Sequence, residues 1–154
     1  MGLSNWLRAA LNKFLGELKR RFVEAEPASC HEYFLLARFI FHESYYRKQP
    51  TVKAKPGAFL PQHSTLKISA LWRDELSEQE IWKIGDLVGT KRAKQPVARA
   101  DFDVSAVSEA RLVIEPDPEP QNPRHVNLCD WPVEKDEQKS IALLLCARST
   151  LIVR

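Results

Sequence analysis

Two segments of this chain alternate apolar and polar residues with a period of two, and a helix with a clearly encoded start lies between them. In residues 66–73, Leu66, Ile68, Ala70 and Trp72 alternate with Lys67, Ser69, Leu71 and Arg73. In residues 97–104, Ala98, Ala100, Phe102 and Val104 alternate with Arg99, Asp101 and Asp103. Successive strand side chains point to opposite faces, so both segments suit half-buried strands with one face on a core. Between them, Ser77 and Glu80 stand as a capping box, with Leu76 and Ile81 as its hydrophobic staple. Ile81, Ile84, Leu87 and Val88 supply the buried stripe, and Gly89 falls where a C-terminal cap is expected.

The rest of the chain fits around this strand–helix–strand unit. Residues 29–48 admit two readings. Ser29 and Glu32 form a possible capping box, while the aromatic run 33–41 suits a buried strand, which is preferred over 34–41. Residues 49–65, with Pro50, Pro56, Gly57 and Pro61, read as an irregular connection. Strands are expected at 111–115 and 124–129, joined by a stiff acidic proline loop over 115–123 with extended polyproline geometry. Asp130 and Pro132 should open a helix over 132–148, and 151–153 is expected as a last strand or a packed tail. The expected fold class is α+β: an antiparallel sheet packed by helices on one side, preceded by an amphipathic N-terminal helix. The domains are then 1–25, the helix, and 29–154, a single α+β body.

Charge divides the chain in the same place. Residues 1–22 hold five basic residues against Glu17 alone, a local charge of +4, whereas the whole chain is +3. The body is therefore close to neutral, which argues against a fold-wide nucleic-acid surface. In the predicted helix over 4–24, Trp6, Leu7, Leu11, Phe14, Leu15, Leu18 and Phe22 gather on one face, and most of the basic residues lie opposite. That stripe can dock on the protein's own sheet, in a groove of a partner protein, or on an anionic membrane surface. A single weak helix rarely anchors alone, so the membrane is disfavoured. Lys19, Arg20 and Arg21 also suit nucleic acid, although no stacking platform accompanies them.

Other classes are set aside by what the sequence lacks. Its longest apolar run, 141–147, is too short to span a bilayer, and no signal-peptide pattern precedes the charges at 8–21. A cytoplasmic protein is expected. Phosphate-cradling glycine motifs, a G-x-S-x-G elbow and kinase signatures are missing, and no cofactor is expected. Cys30, Cys129 and Cys146 are odd in number and widely spaced, so they read as reduced and structural. His31-Glu32 and His42-Glu43 lack a third metal ligand, and no metal site is expected.

The candidate chemistry is cationic. Arg73, Arg99 and His125 each lie on a predicted strand or its end, with Lys53 and Asp101 able to join them as a ligand-binding set. Such groups suit phosphate binding or an oxyanion, with His125 as general acid or base and Arg73 and Arg99 as its partners in catalysis. The competing reading pairs Arg99 with Asp101 or Asp103 on a solvated face. Cys129 follows His125 by four residues, about 13 Å along a strand, too far for a nucleophile–base pair.

The segment from Val52 through Pro61, the 69–73 strand, residues 80–85, Arg99-Ala100-Asp101, residues 124–127 and Trp131-Pro132 together resemble a family of small bacterial proteins of unknown function. The resemblance covers about residues 34–153 and excludes the N-terminal helix. It implies a bacterial or mobile-element origin and carries no activity. Two functions are expected from these readings. The first is a bacterial accessory module that binds a partner protein through Trp6, Leu7, Leu11, Phe14, Lys19, Arg20 and Arg21. The second is a small enzyme or sensor for a phosphate-containing ligand or nucleic acid, with phage defence as one setting.

Overall fold

The computed structural model describes residues 33–154. The amphipathic helix predicted over 4–24, the Ser29/Glu32 capping box, His31 and Cys30 lie outside the described residues. The two alternating segments become strands β4 (Ile68–Trp72) and β5 (Ala98–Asp103), joined by β1 (Leu35–Ile40), β6 (Val113–Pro116), β7 (His125–Cys129) and β8 (Thr150–Val153). They form one six-stranded sheet in the order β6-β7-β4-β1-β5-β8, every neighbouring pair antiparallel. A small hairpin, β2 (Tyr46–Arg47) with β3 (Lys53–Ala54), is separate from that sheet.

Strand alternation gives the sheet two different faces. On one, Leu36, Ile40, Ile68, Ala70, Ala100, Phe102, Val126 and Leu128 are buried. They pack with Phe59 from the short helix Pro56–Phe59, with Val107 of α2 (Val104–Glu109), and with Leu145 of α3 (Lys135–Ala147). Phe59 meets Phe102 edge to face at 5.6 Å between ring centroids. This is the apolar core.

The other face is covered by α1 (Glu78–Arg92), which corrects the one-sided packing expected from sequence. Arg99 and Asp101 read as solvated, yet they lie on the face beneath this helix and are buried. Contact is close at Gly85, where an added Cβ would meet the Phe39 ring at 2.7 Å. The predicted capping box starts α1: Ser77 Oγ accepts from the Glu80 amide, and the Glu80 carboxylate accepts from the Ser77 amide.

Gly89 is not the cap. The helix runs on to Arg92 and ends at Ala93 in the left-handed region, φ 50°. Glycine is needed at 89 because the returning chain brings the Lys94 carbonyl oxygen 2.2 Å from where a Cβ would sit. Asp130 and Pro132 do not open α3 either. Asp130 adopts φ 63°, and the helix starts at Lys135, with the Gln138 side-chain Nε2 donating back to the Pro132 carbonyl at 2.7 Å. The sequence reading also missed α2, which Asp103 caps by accepting from the Ala106 amide at 3.0 Å. The acidic proline segment is not an extended run: Glu119 and Asn122 pair across a tight reversal that leads from β6 to β7. No helix among the described residues is long and apolar enough to cross a membrane.

Candidate functional site

Of the cationic set read from the sequence, the fold brings Arg73, Arg99 and Asp101 together. Arg99 is almost fully buried; its Nε donates to Asp101 Oδ1 at 2.9 Å and its Nη1 to Glu78 Oε2 at 2.7 Å. Arg73 Nη1 lies 3.0 Å from Asp101 Oδ2, and Trp82 stacks on the Arg99 guanidinium at 5.2 Å. Burial alone would lower the Arg99 pKa, but the bonds to Glu78 and Asp101 outweigh it and hold it above the usual arginine range. The Arg99 bond in turn holds Glu78 below the usual carboxylate range. Two guanidiniums and two carboxylates cancel. The network is a charge-balanced knot, and a cavity of about 330 Å³ lies against it, bordered by Arg73, Glu78, Arg99, Asp101 and Arg148.

His125 and Lys53 stand elsewhere. His125 is paired with Leu71, three strands from β5, or about 14 Å at the usual strand spacing. Its Nδ1 lies 2.7 Å from the Asp117 carbonyl, a bond within the proline loop. Lys53 sits on the β2–β3 hairpin near α3, where the Cys146 thiol donates to the neighbouring Ala54 carbonyl.

A second cationic site lies where the sheet splits. β1 and β4 pair only at Leu36–Trp72 and Ala37–Leu71. Beyond them the Arg38 guanidinium takes over, with Nη1 donating to the Ser69 carbonyl at 2.8 Å and Nε to the Ala58 carbonyl at 2.6 Å. Among the described residues no carboxylate pairs with it. Burial, with the adjacent charge of Arg92, pushes its pKa down to about 10, so it stays cationic at neutral pH. Arg92, in the last turn of α1, lies over the Phe41 ring at 4.9 Å and also has no carboxylate partner among the described residues.

Two cavities share these arginines. A cleft of about 140 Å³ is bordered by Arg38, Lys91, Arg92, Glu119, Asn122 and His125. A larger one of about 510 Å³ is bordered by Arg38, Phe41, Tyr45 and Arg92. Asn122 is 3% exposed and its buried Oδ1 has no hydrogen-bond partner. Buried polar groups are nearly always paired, so this amide stands out in the wall of the smaller cleft. Compared with protein-family models, curated proteins and solved structures, the chain matches none. Function must be argued from the site itself.

The remaining reactive groups have structural partners. Burial and the Glu115 carboxylate push the Cys129 thiol up to about 11, and its Sγ donates to Glu115 Oε2 at 3.0 Å. His42 caps a short helical turn by accepting from the Ser44 amide. Ligand atoms of Asp117, Glu119 and His125 lie within 4.8 Å of one another. Asp117 is engaged by the Asn127 amide at 2.8 Å and Glu119 by Lys91 at 3.6 Å, bonds that hold the proline loop.

The sequence reading missed Arg38, Arg92 and Asn122. A signal for Arg38 was present: it is the one charge inside the aromatic run 33–41. Arg92 and Asn122 carried none, since they reach the cleft only through the length of α1 and the tightness of the proline reversal.

Proposed function

We propose that the body of this protein is a binding module for a small phosphate-bearing anion, held between Arg38 and Arg92. One observation carries the reading. Arg73, Arg99, Arg124, Arg148 and Arg154 each lie within 3.6 Å of a carboxylate oxygen; among the described residues Arg38, Arg47, Arg92 and Arg111 do not, and of these Arg38 alone is not exposed, with Arg92 beside it on the wall of one cleft. An enclosed charge without a counter-charge is costly, and the Ser69 and Ala58 carbonyls offset only part of that cost. An anion in the cleft would supply the rest, with the unused N–H groups of both guanidiniums donating to its oxygens. The Asn122 side-chain nitrogen, which has no partner among the described residues, is a further donor in the same wall, while its buried Oδ1, an acceptor, would not serve the anion. No hydrogen bond joins His125 to a hydroxyl or thiol among the described residues, which favours binding over nucleophilic catalysis.

The test is calorimetric titration of the full chain with inorganic phosphate, compared with Arg92→Ala and Arg38→Lys. Losing one charge-assisted hydrogen bond costs about 1.5–3 kcal/mol, so Arg92→Ala should weaken binding roughly tenfold or more. Arg38→Lys keeps the charge but cannot span two carbonyls and an anion with one ammonium, and should weaken it comparably. Unchanged affinity in both variants would refute the site.

A second reading rests on the sequence of the N-terminal segment. We propose that Trp6, Leu7, Leu11 and Phe14, with Lys19, Arg20 and Arg21 opposite, dock on a partner protein, which would make the chain an accessory module of a bacterial system. Native mass spectrometry of the chain from its own host should show a stoichiometric partner that survives nuclease and is lost in Leu7→Asp/Leu11→Asp. A complex unaffected by those changes would count against it.

A further inference from the structure

The two cavities around Arg38 and Arg92 differ in size and lining, and together they describe the anion's carrier. Sites for small organic ligands usually measure about 300–1,000 Å³. The cleft of about 140 Å³ falls well below that range and suits a phosphate group alone. The adjoining cavity of about 510 Å³ falls inside it. Arg38, Phe39, Phe41 and Arg92 border both, so a ligand anchored by its anion between the arginines has only one roomy direction in which to extend.

That direction is aromatic. Phe41 already stacks under the Arg92 guanidinium, and Tyr45 is 45% exposed, its ring 3.5 Å from where a Cβ added at Gly57 would sit. His42 stands edge-on to Tyr45 at 6.4 Å between ring centroids. Rings of this kind offer faces to a flat π-system, and Gln62 and Lys94 on the same cavity can hydrogen-bond to its edge. Resting on the anion-site reading, we infer that the ligand is a nucleoside monophosphate or a compound of the same build, its phosphate between Arg38 and Arg92 and its base in the Phe41/Tyr45 cavity. The surroundings disfavour a strand of nucleic acid. A strand needs a basic track continuing past the site, whereas Glu119, held by Lys91 at 3.6 Å, borders the smaller cleft itself and Asp117 lies on the same loop.

The experiment titrates the full chain with inorganic phosphate, ribose 5-phosphate, the common nucleoside monophosphates and a single-stranded decanucleotide. At least one nucleoside monophosphate should bind about tenfold or more tightly than ribose 5-phosphate, the surplus expected of one base on an aromatic face. Tyr45→Ala, which borders only the larger cavity, should remove that surplus while leaving phosphate affinity within about twofold. Phosphate binding that depends on Arg92, together with nucleotides no tighter than ribose 5-phosphate, would overturn the base site and leave the anion site standing. A decanucleotide that binds far more tightly than any mononucleotide would overturn it in favour of a strand. Absence of phosphate binding altogether would remove both readings.

Discussion

The assignment of the Arg73–Arg99–Asp101–Glu78 knot to structure rather than to ligand binding can be tested by Arg99→Met. Asp101 is 7% exposed and loses two bonds from Arg99, at 2.9 and 3.2 Å, a charged pair worth about 1.5–3 kcal/mol. The Glu78 side chain is 58% exposed, so the two bonds it accepts add under about 1 kcal/mol. Loss of the guanidinium from the Trp82 face adds about 0.5–1 kcal/mol. The expected cost is therefore about 3 kcal/mol. It stays at the low end for a broken buried pair because Arg73, at 3.0 Å, still serves Asp101. The double variant Arg99→Met/Asp101→Leu should recover at least half of that loss, since an apolar pair replaces the buried charges and Arg73 keeps Glu78 within 3.8 Å. Urea unfolding followed by circular dichroism gives both values. A single-variant loss below about 1 kcal/mol would refute the reasoning and return these arginines to the list of ligand-binding groups.

Three further outcomes are expected. Gly89→Ala should lower stability by about 2–3 kcal/mol in the same unfolding assay, because its methyl group would strike the Lys94 carbonyl, whereas Gly57→Ala, with only 3.5 Å contacts, should be close to neutral. Cys129 should resist alkylation at pH 8, where a thiol with a pKa of about 11 is about one part in a thousand thiolate; peptide mass spectrometry after iodoacetamide should show it modified only in denaturant. Glu78 is held below its ordinary pKa by Arg99, so its contribution is fully present above the unfolded carboxylate value near pH 4.5 and is lost as pH falls through the lower folded value. Glu78→Gln should therefore flatten the decline in stability between about pH 5 and pH 3; an unchanged acid limb would contradict this.

Strands β4 and β5 were legible in the sequence because they alternate apolar and polar residues, and α1 because its capping box is a purely local device; β1, an aromatic run without alternation, read as helix or strand. The covering of Arg99 and Asp101 was not legible. Polar residues at every second position look the same whether water or a helix bearing Glu78 lies above them, and only tertiary packing decides. Gly89 misled for a related reason: local rules assign glycine to a helix end, while the actual cause is the Lys94 carbonyl five residues later, crossing over the helix. Asp130 resembled a cap but adopts a left-handed turn that tucks Trp131 into the core, its Nε1 donating to the Leu128 carbonyl at 3.1 Å. Arg38 was visible as a charge in an apolar strand. That it faces no carboxylate depends on β1 and β4 parting after two residue pairs, and no sequence pattern records where strands part.

That parting has a mechanical consequence. The sheet is two three-stranded leaves, β6-β7-β4 and β1-β5-β8, joined along a seam only two residue pairs long. Arg38 acts as a rivet below the seam, rooted in one leaf and fastened to the Ser69 carbonyl of the other. Shear between the leaves concentrates at that point, so amide exchange should be fastest along the β1–β4 line and slow within each leaf. Whatever occupies the Arg38 cleft touches both leaves at once, and clamps the sheet at the place where it is most free to slide.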